Sequence, residues 1–110
     1  MSKSGQKKIF INLPVKDLKK SIAFFTKLGY TFNPQFTDEK ATCMIVSDTI
    51  FVMLLVEPFF KTFTHKEISD AKKAAEVIIS ISADSKEKVN ELVNNAVAAG
   101  GSTPNKANDN

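Results

Sequence analysis

One histidine, one cysteine and a few carboxylates near strand ends are all that this chain offers for acid–base, nucleophilic or metal chemistry. His65 lies in "TFTHKE", with no second ligand at helical or hairpin spacing, so it reads as an exposed linker side chain. Cys43 sits mid-strand between Thr42 and Met44, away from any cation or helix start that would lower its pKa, and reads as a buried, inert thiol. A Ser-His-Asp or Cys-His arrangement cannot be assembled from one linker histidine. Only four glycines exist, and Gly100-Gly101 close a helical pattern instead of opening one, so there is no phosphate-cradling loop. Two carboxylates remain. Glu57 stands before Pro58 at a strand end and reads as solvated. Glu76 opens "EVIISIS", where alternation puts Glu76, Ile78 and Ser80 on one side and Val77, Ile79 and Ile81 on the other.

The elements that must position these residues are legible from periodicity. "KIFINLPV" is rich in Ile, Phe and Val and reads as a strand, with Pro14 near its end, where a lost donor is tolerated at an edge. Asp17 is a good N-cap for the helix whose face is Leu18, Ile22, Phe25 and Leu28, and Gly29 supplies the left-handed stop. "YTFNPQFT", "ATCMIVS" and "TIFVMLLVE" then follow as strands with short turns at Asp38-Glu39-Lys40 and Ser47-Asp48, which favours antiparallel pairing. Residues 8–57 therefore read β-α-β-β-β.

From Pro58 to Ala75 the pattern is mixed, a linker with one short helix expected near residues 66–73. The opening pattern then returns. "EVIISIS" reads as a strand, Asp84-Ser85-Lys86-Glu87 has the form of a capping box, and Val89, Leu92, Val93, Ala96 and Val97 mark an amphipathic helix ended by Gly100-Gly101. Strand, acid cap, striped helix and glycine thus occur twice. The first copy carries a meander after its glycine; only nine residues follow Gly101. The expectation is one domain over residues 1–110, with module 1 at about 8–57, a linker at 58–75 and a partial module 2 at 76–104 whose last strands are missing.

A chain of 110 residues buries roughly two-thirds of its unfolded surface, enough for one core. The net charge of +3 comes from dispersed lysines without a single arginine, which argues against a nucleic-acid partner. The polar start "MSKSGQKK" has no apolar region behind it, and "TIFVMLLVEPFF" is too short and interrupted to span a bilayer. One cysteine and no leader pattern lead to the expectation of a reduced, cytoplasmic protein without a membrane partner.

"INLPVKDLKKSIAFFTKLGY" resembles the first strand, "PV-x-DL" turn and "S-x-x-FF-x-x-LG" helix of the vicinal oxygen chelate superfamily, which includes glyoxalase I, bleomycin-resistance proteins and extradiol dioxygenases. "FVMLLVEPFF" resembles the closing strand of that superfamily's first module, and "EVIISISADSKEKVNELVNNAVAAGG" its second strand–helix unit, so the resemblance covers about residues 8–104. It implies an α+β fold: a βαβββ module followed by a linker and an incomplete second module, in a glyoxalase/bleomycin-resistance-like half-barrel sheet around a pocket. It also implies a homodimer.

Metal-dependent members take a ligand from the first strand of each module and others from the closing strands. The matching positions here are Phe10, about Met53, and Glu76; the fourth would lie beyond this chain. Phenylalanine has no lone pair to give, and a thioether is a weak ligand for hard divalent ions. One carboxylate does not make a site, so no metal cofactor is expected. The pocket lining expected instead is Asn12, Met44, Phe51, Met53, Glu76 and Ser80, with Val46 and the linker aromatics Phe59, Phe60 and Phe63. The function expected is uptake of a small molecule in a largely apolar pocket without a metal. The alternative is a metal-dependent lyase or dioxygenase using Glu76 and ligands from an absent C-terminal segment. Whether the chain is an enzyme stays open at this point, as does any catalytic residue.

Overall fold

The computed structural model describes residues 6–70, 72–74 and 76–102. Its sheet has four strands: β1 (Ile9–Val15), β2 (Thr31–Asn33), β3 (Ala41–Ile45) and β4 (Ile50–Val56). They lie in the order β1-β4-β3-β2. β1 runs parallel to β4, while β3 is antiparallel to both β4 and β2. The parallel pair needs a crossover, and α1 (Leu18–Lys27) begins it. The expected β-α-β-β-β order of residues 8–57 is the one observed.

Register assigns every side chain to one of two faces. Ile11, Val52, Met44 and Phe32 form one row across the four strands. Leu13, Leu54 and Thr42 form the next, on the same side. That side carries the core, in which Leu18, Met44, Val52 and Leu54 are buried, with Ile22, Phe25 and Tyr30 packed against them. The α1 stripe therefore does what its spacing predicts. Thr42 is fully buried among these apolar groups, and its hydroxyl lies 2.8 Å from that of Thr37. Since the Thr37 hydroxyl donates to the Asn33 carbonyl, Thr42 supplies the proton between the two.

The two strand–helix units match at the level of their caps. Asp17, in extended conformation, accepts the Lys20 amide at 3.1 Å; Ser85, also extended, accepts the Lys88 amide at 3.1 Å. The cap of α3 (Lys86–Ala98) is thus Ser85, one residue later than the capping box predicted, because Ser85 holds the flanking extended position from which a short side chain reaches the third amide of the helix. Both helices end in a Schellman motif. Gly29 and Tyr30 donate to the carbonyls of Thr26 and Phe25, and Gly100 and Gly101 donate to those of Val97 and Ala96. The Tyr30 ring meets Phe25 edge-on at 6.1 Å, the apolar contact that accompanies this motif. Gly29 has φ +99° and open space where a Cβ would go, so its replacement acts through conformation alone. Gly29→Ala is expected to cost about 1–2 kcal/mol in urea denaturation, and a loss below about 0.5 kcal/mol would contradict the cap assignment.

Three departures from the sequence reading have local causes. "YTFNPQFT" gives only the three residues of β2, because Pro34 opens a 3₁₀ turn (Pro34–Phe36) and the Asn33 side chain accepts the Gln35 amide at 2.9 Å. The linker helix is at α2 (Glu57–Phe60), continued by a 3₁₀ turn at Lys61–Phe63, and not at residues 66–73. Pro58 in a first turn forfeits no helical bond, whereas the later stretch holds a single turn built on Asp70. The third departure is the largest. Residues 76–82, expected as a strand, join no ladder among the described residues, and Ile78 is 86% exposed. A strand is defined by its partner, and the four-stranded sheet gives this run none. The closing stretch of the expected second module, residues 103–104, lies outside the described residues. No helix among those described is long and apolar enough to cross a membrane.

Candidate functional site

The face of the sheet away from α1 carries three rows. Phe10, Phe51, Ile45 and Thr31 form one, Asn12, Met53, Cys43 and Asn33 the second, and Pro14, Leu55 and Ala41 the third, in which Leu55 and Ala41 are buried. Phe10 and Phe51 are brought together by the parallel pairing of β1 and β4, and their rings stack with centroids 4.9 Å apart and an interplanar angle of 15°. Phe10 stays 55% exposed, and the Lys8 ammonium stands 5.9 Å from the Phe51 centroid. Two residues along each strand, on the same face, Asn12 offers an exposed amide beside the half-buried Met53 thioether. The result is an open aromatic platform with a cation at one end and a polar group at its side.

Cys43 is next to Met53 in this second row but only 3% exposed. Burial pushes its thiol above the ordinary thiol range, so it is protonated at neutral pH. Ellman's reagent is expected to react with Cys43 far more slowly in the folded protein than in denaturant. Because the folded state holds this proton more tightly, stability falls as pH rises through and above the ordinary thiol range. A thiol as reactive folded as unfolded would contradict the burial.

Of the six expected lining residues, Asn12, Phe51 and Met53 share this face. Met44 does not. It is 2% exposed in the core row beneath α1, one position along β3 from Cys43, and the strict alternation of a strand sends it to the other side; Val46 likewise packs against that core. Glu76 and Ser80 are exposed on the run outside the sheet, so they line neither face. Phe59 and Phe60 are half-buried in α2, which packs against β1 and β4, while Phe63 meets Phe59 edge-on at 5.2 Å and stays largely exposed.

A feature the sequence reading missed is a hollow of about 980 Å³ at the carboxyl ends of β1 and β4. Its lining includes Leu13, Pro14, Pro58 and Ile68, but Lys16, Glu57, Lys61, Glu67, Asp70 and Lys72 are charged. Glu57 is thus part of a concave wall as well as the first residue of α2. Ligand pockets usually hold few polar anchors, whereas this lining carries six charged side chains. The Asp70 carboxylate is already engaged, accepting the Lys72 amide at 3.0 Å. The signal for this hollow was the charge of the linker, which has no periodicity from which to infer convergence.

A family model described as bleomycin resistance protein-like N-terminal matches residues 7–47, from the start of β1 through β3. Two solved structures share the architecture. Hypothetical protein SA1046 from S. aureus is similar at a TM-score of 0.70 and 27% identity, over 96% of this chain and 80% of its own. A glyoxalase/bleomycin resistance protein/dioxygenase family enzyme from Burkholderia phytofirmans PsJN is similar at a TM-score of 0.60 and 18% identity, over 83% of this chain and 71% of its own; at that identity the likeness is one of fold. Over residues 7–47 the chain is similar to the bleomycin resistance protein-like N-terminal family, and its fold is that of the glyoxalase/bleomycin resistance protein/dioxygenase family structure. No curated protein sequence matches the chain.

A bound divalent metal needs converging donors, and the positions that the resemblance points to can be tested for them. At the first-strand position stands the Phe10 ring, already stacked on Phe51. At the closing-strand position stands Met53, with the thiol of Cys43 and the amide of Asn12 as its row neighbours. Among the described residues no three His, Cys, Asp or Glu side chains gather into a potential metal site. An aromatic ring, a thioether and a protonated thiol do not fit a hard divalent cation.

Proposed function

We propose that this protein binds a small molecule with a planar, electron-rich or anionic aromatic part on the open face of its sheet, without a metal. The observation that carries the reading is the exposed Phe10–Phe51 stack beside Lys8. An exposed aromatic pair extends readily to a third ring, since offset stacking adds about 0.5–1.5 kcal/mol beyond the area covered. Lys8 favours a negative group at one end of that ring, and Asn12 offers both a donor and an acceptor at its side. Met53 supplies a polarisable floor that tolerates variation in ligand shape.

The probe that tests this is an anilinonaphthalene sulfonate, which combines fused rings with one anionic group. Fluorescence titration is expected to give saturable binding to the folded chain, weakened by about tenfold in Phe10→Ala, where the outer half of the platform is removed. Prior treatment with a chelator is expected to leave the titration unchanged. Equal affinity for the wild type and Phe10→Ala would overturn the assignment of the site. Loss of binding on chelation, restored by a divalent ion, would overturn the metal-free reading.

A further inference from the structure

We propose that the charged hollow at the carboxyl ends of β1 and β4 takes a small zwitterion with an apolar body, of the class of a short apolar peptide with free termini. The inference is independent of the aromatic ligand reading, because none of the residues it uses lies in the Phe10 or Asn12 row.

Three separate pieces of chain supply the charges. Lys16 follows β1 in the turn to α1, Glu57 and Lys61 belong to α2 and the 3₁₀ turn after it, and Glu67, Asp70 and Lys72 stand on the linker. Acids and lysines are equal in number, so the hollow as a whole favours neither sign. Several of these groups stand where pairing within the chain would be easy. Val15 and Val56 are register partners, so Lys16 and Glu57 extend neighbouring strands side by side. Glu57 also precedes Lys61 by four residues along a helical run, the spacing and order that favour an ion pair. Yet among the described residues the one ion pair is Lys88 with Glu91 on α3, at 3.8 Å. The hollow therefore presents carboxylates and ammonium groups that are not committed to one another.

The same lining selects the ligand chemistry. A metal ion needs gathered oxygen ligands, and among the described residues no three His, Cys, Asp or Glu side chains come together in that way. A polyanion such as a phosphate ester would meet carboxylates on two of the three walls, and a polycation would meet lysines on all three. A ligand with one ammonium and one carboxylate finds a partner for each. Leu13, Pro14 and Ile68, all half-buried, give its body an apolar floor, and the Ser69 hydroxyl offers a donor and an acceptor for a peptide group. The volume of about 980 Å³ is at the upper end of the roughly 300–1,000 Å³ of small-molecule sites, which suits a short peptide better than a single amino acid.

Titration of the ¹⁵N-labelled chain with leucyl-leucine tests this. Saturable amide shifts are expected at Lys16, Lys61, Ser69 and Lys72, with Phe10 and Phe51 unmoved, and with a Kd on the order of 1 mM. Acetylating the dipeptide's amine or amidating its carboxylate is expected to weaken binding by about threefold to fivefold, the scale of one solvated ion pair. Lys16→Gln combined with Lys61→Gln is expected to make the free and amidated dipeptides bind alike, and Glu57→Gln combined with Glu67→Gln to do the same for the free and acetylated ones. All four side chains lie outside the core, so the folded chain is retained, which an unchanged circular dichroism spectrum checks. No saturable shift up to about 10 mM dipeptide would overturn the proposal. Equal affinity of the wild type for free and capped dipeptides would overturn it too, as would displacement of the dipeptide by an equal concentration of inorganic phosphate.

Discussion

Met44→Lys does not fold stably, whereas Met53→Lys does. The two methionines are on neighbouring strands and identical in chemistry, but they lie on opposite faces of one sheet. Met44 is 2% exposed between Phe32 and Val52 in the row beneath α1, so a lysine there must leave its ammonium unpaired in the core or force the layers apart. The cost is expected to exceed about 4 kcal/mol, a large part of the 5–15 kcal/mol that holds a domain of this size together. Met53 lies on the half-buried open face, from which a lysine's flexible stem carries its charge to water, at a cost of about 1 kcal/mol. Urea unfolding followed by circular dichroism separates the two. Equal losses would mean that the faces have been assigned the wrong way round.

Leu54→Ala lowers the unfolding free energy by about 2–5 kcal/mol. Leu54 is 1% exposed at the centre of β4, between Leu13 on β1 and Thr42 on β3, and it belongs to the cluster with Leu18, Met44 and Val52. Truncation removes transfer energy and leaves a cavity that strands tied on both sides cannot close. The thermal midpoint is expected to fall by more than about 10 °C, taking roughly 4–8 °C per kcal/mol for a domain of this length. A loss below about 1 kcal/mol would place the core elsewhere than beneath α1.

The first module was legible in the sequence because its signals are local. Asp17, the Leu18–Ile22–Phe25 stripe and Gly29 each act within one or two turns, and the structure uses each as its chemistry suggests. The second striped helix and its glycine stop are legible for the same reason, with paired Schellman motifs at Gly29 and Gly100, whereas the strand expected before that helix does not form. Faces were harder. Apolarity alone places Met44 on the open side because it leaves the phase of β3 against β4 unfixed; the pairing of Cys43 with Met53 fixes that phase. The segment 76–82 shows the opposite limit, since its composition specifies strand preference but whether a strand forms depends on a partner that composition cannot name. Composition marks Asn12, Phe51 and Met53 as lining, but it shows Phe10 only as a position without a lone pair. Its role as the exposed half of a ring stack depends on the parallel register of β1 and β4, a contact between residues far apart in the chain.

The most direct test of the central claim is to map where an aromatic anion binds. Amide shifts in a ¹H–¹⁵N spectrum, followed during titration with anilinonaphthalene sulfonate, are expected to move at Lys8, Phe10, Asn12, Phe51 and Met53 and to stay still around Lys16, Lys61 and Lys72. Shifts confined to the charged hollow at the carboxyl ends of β1 and β4, with the Phe10 and Phe51 amides unmoved, would contradict the account.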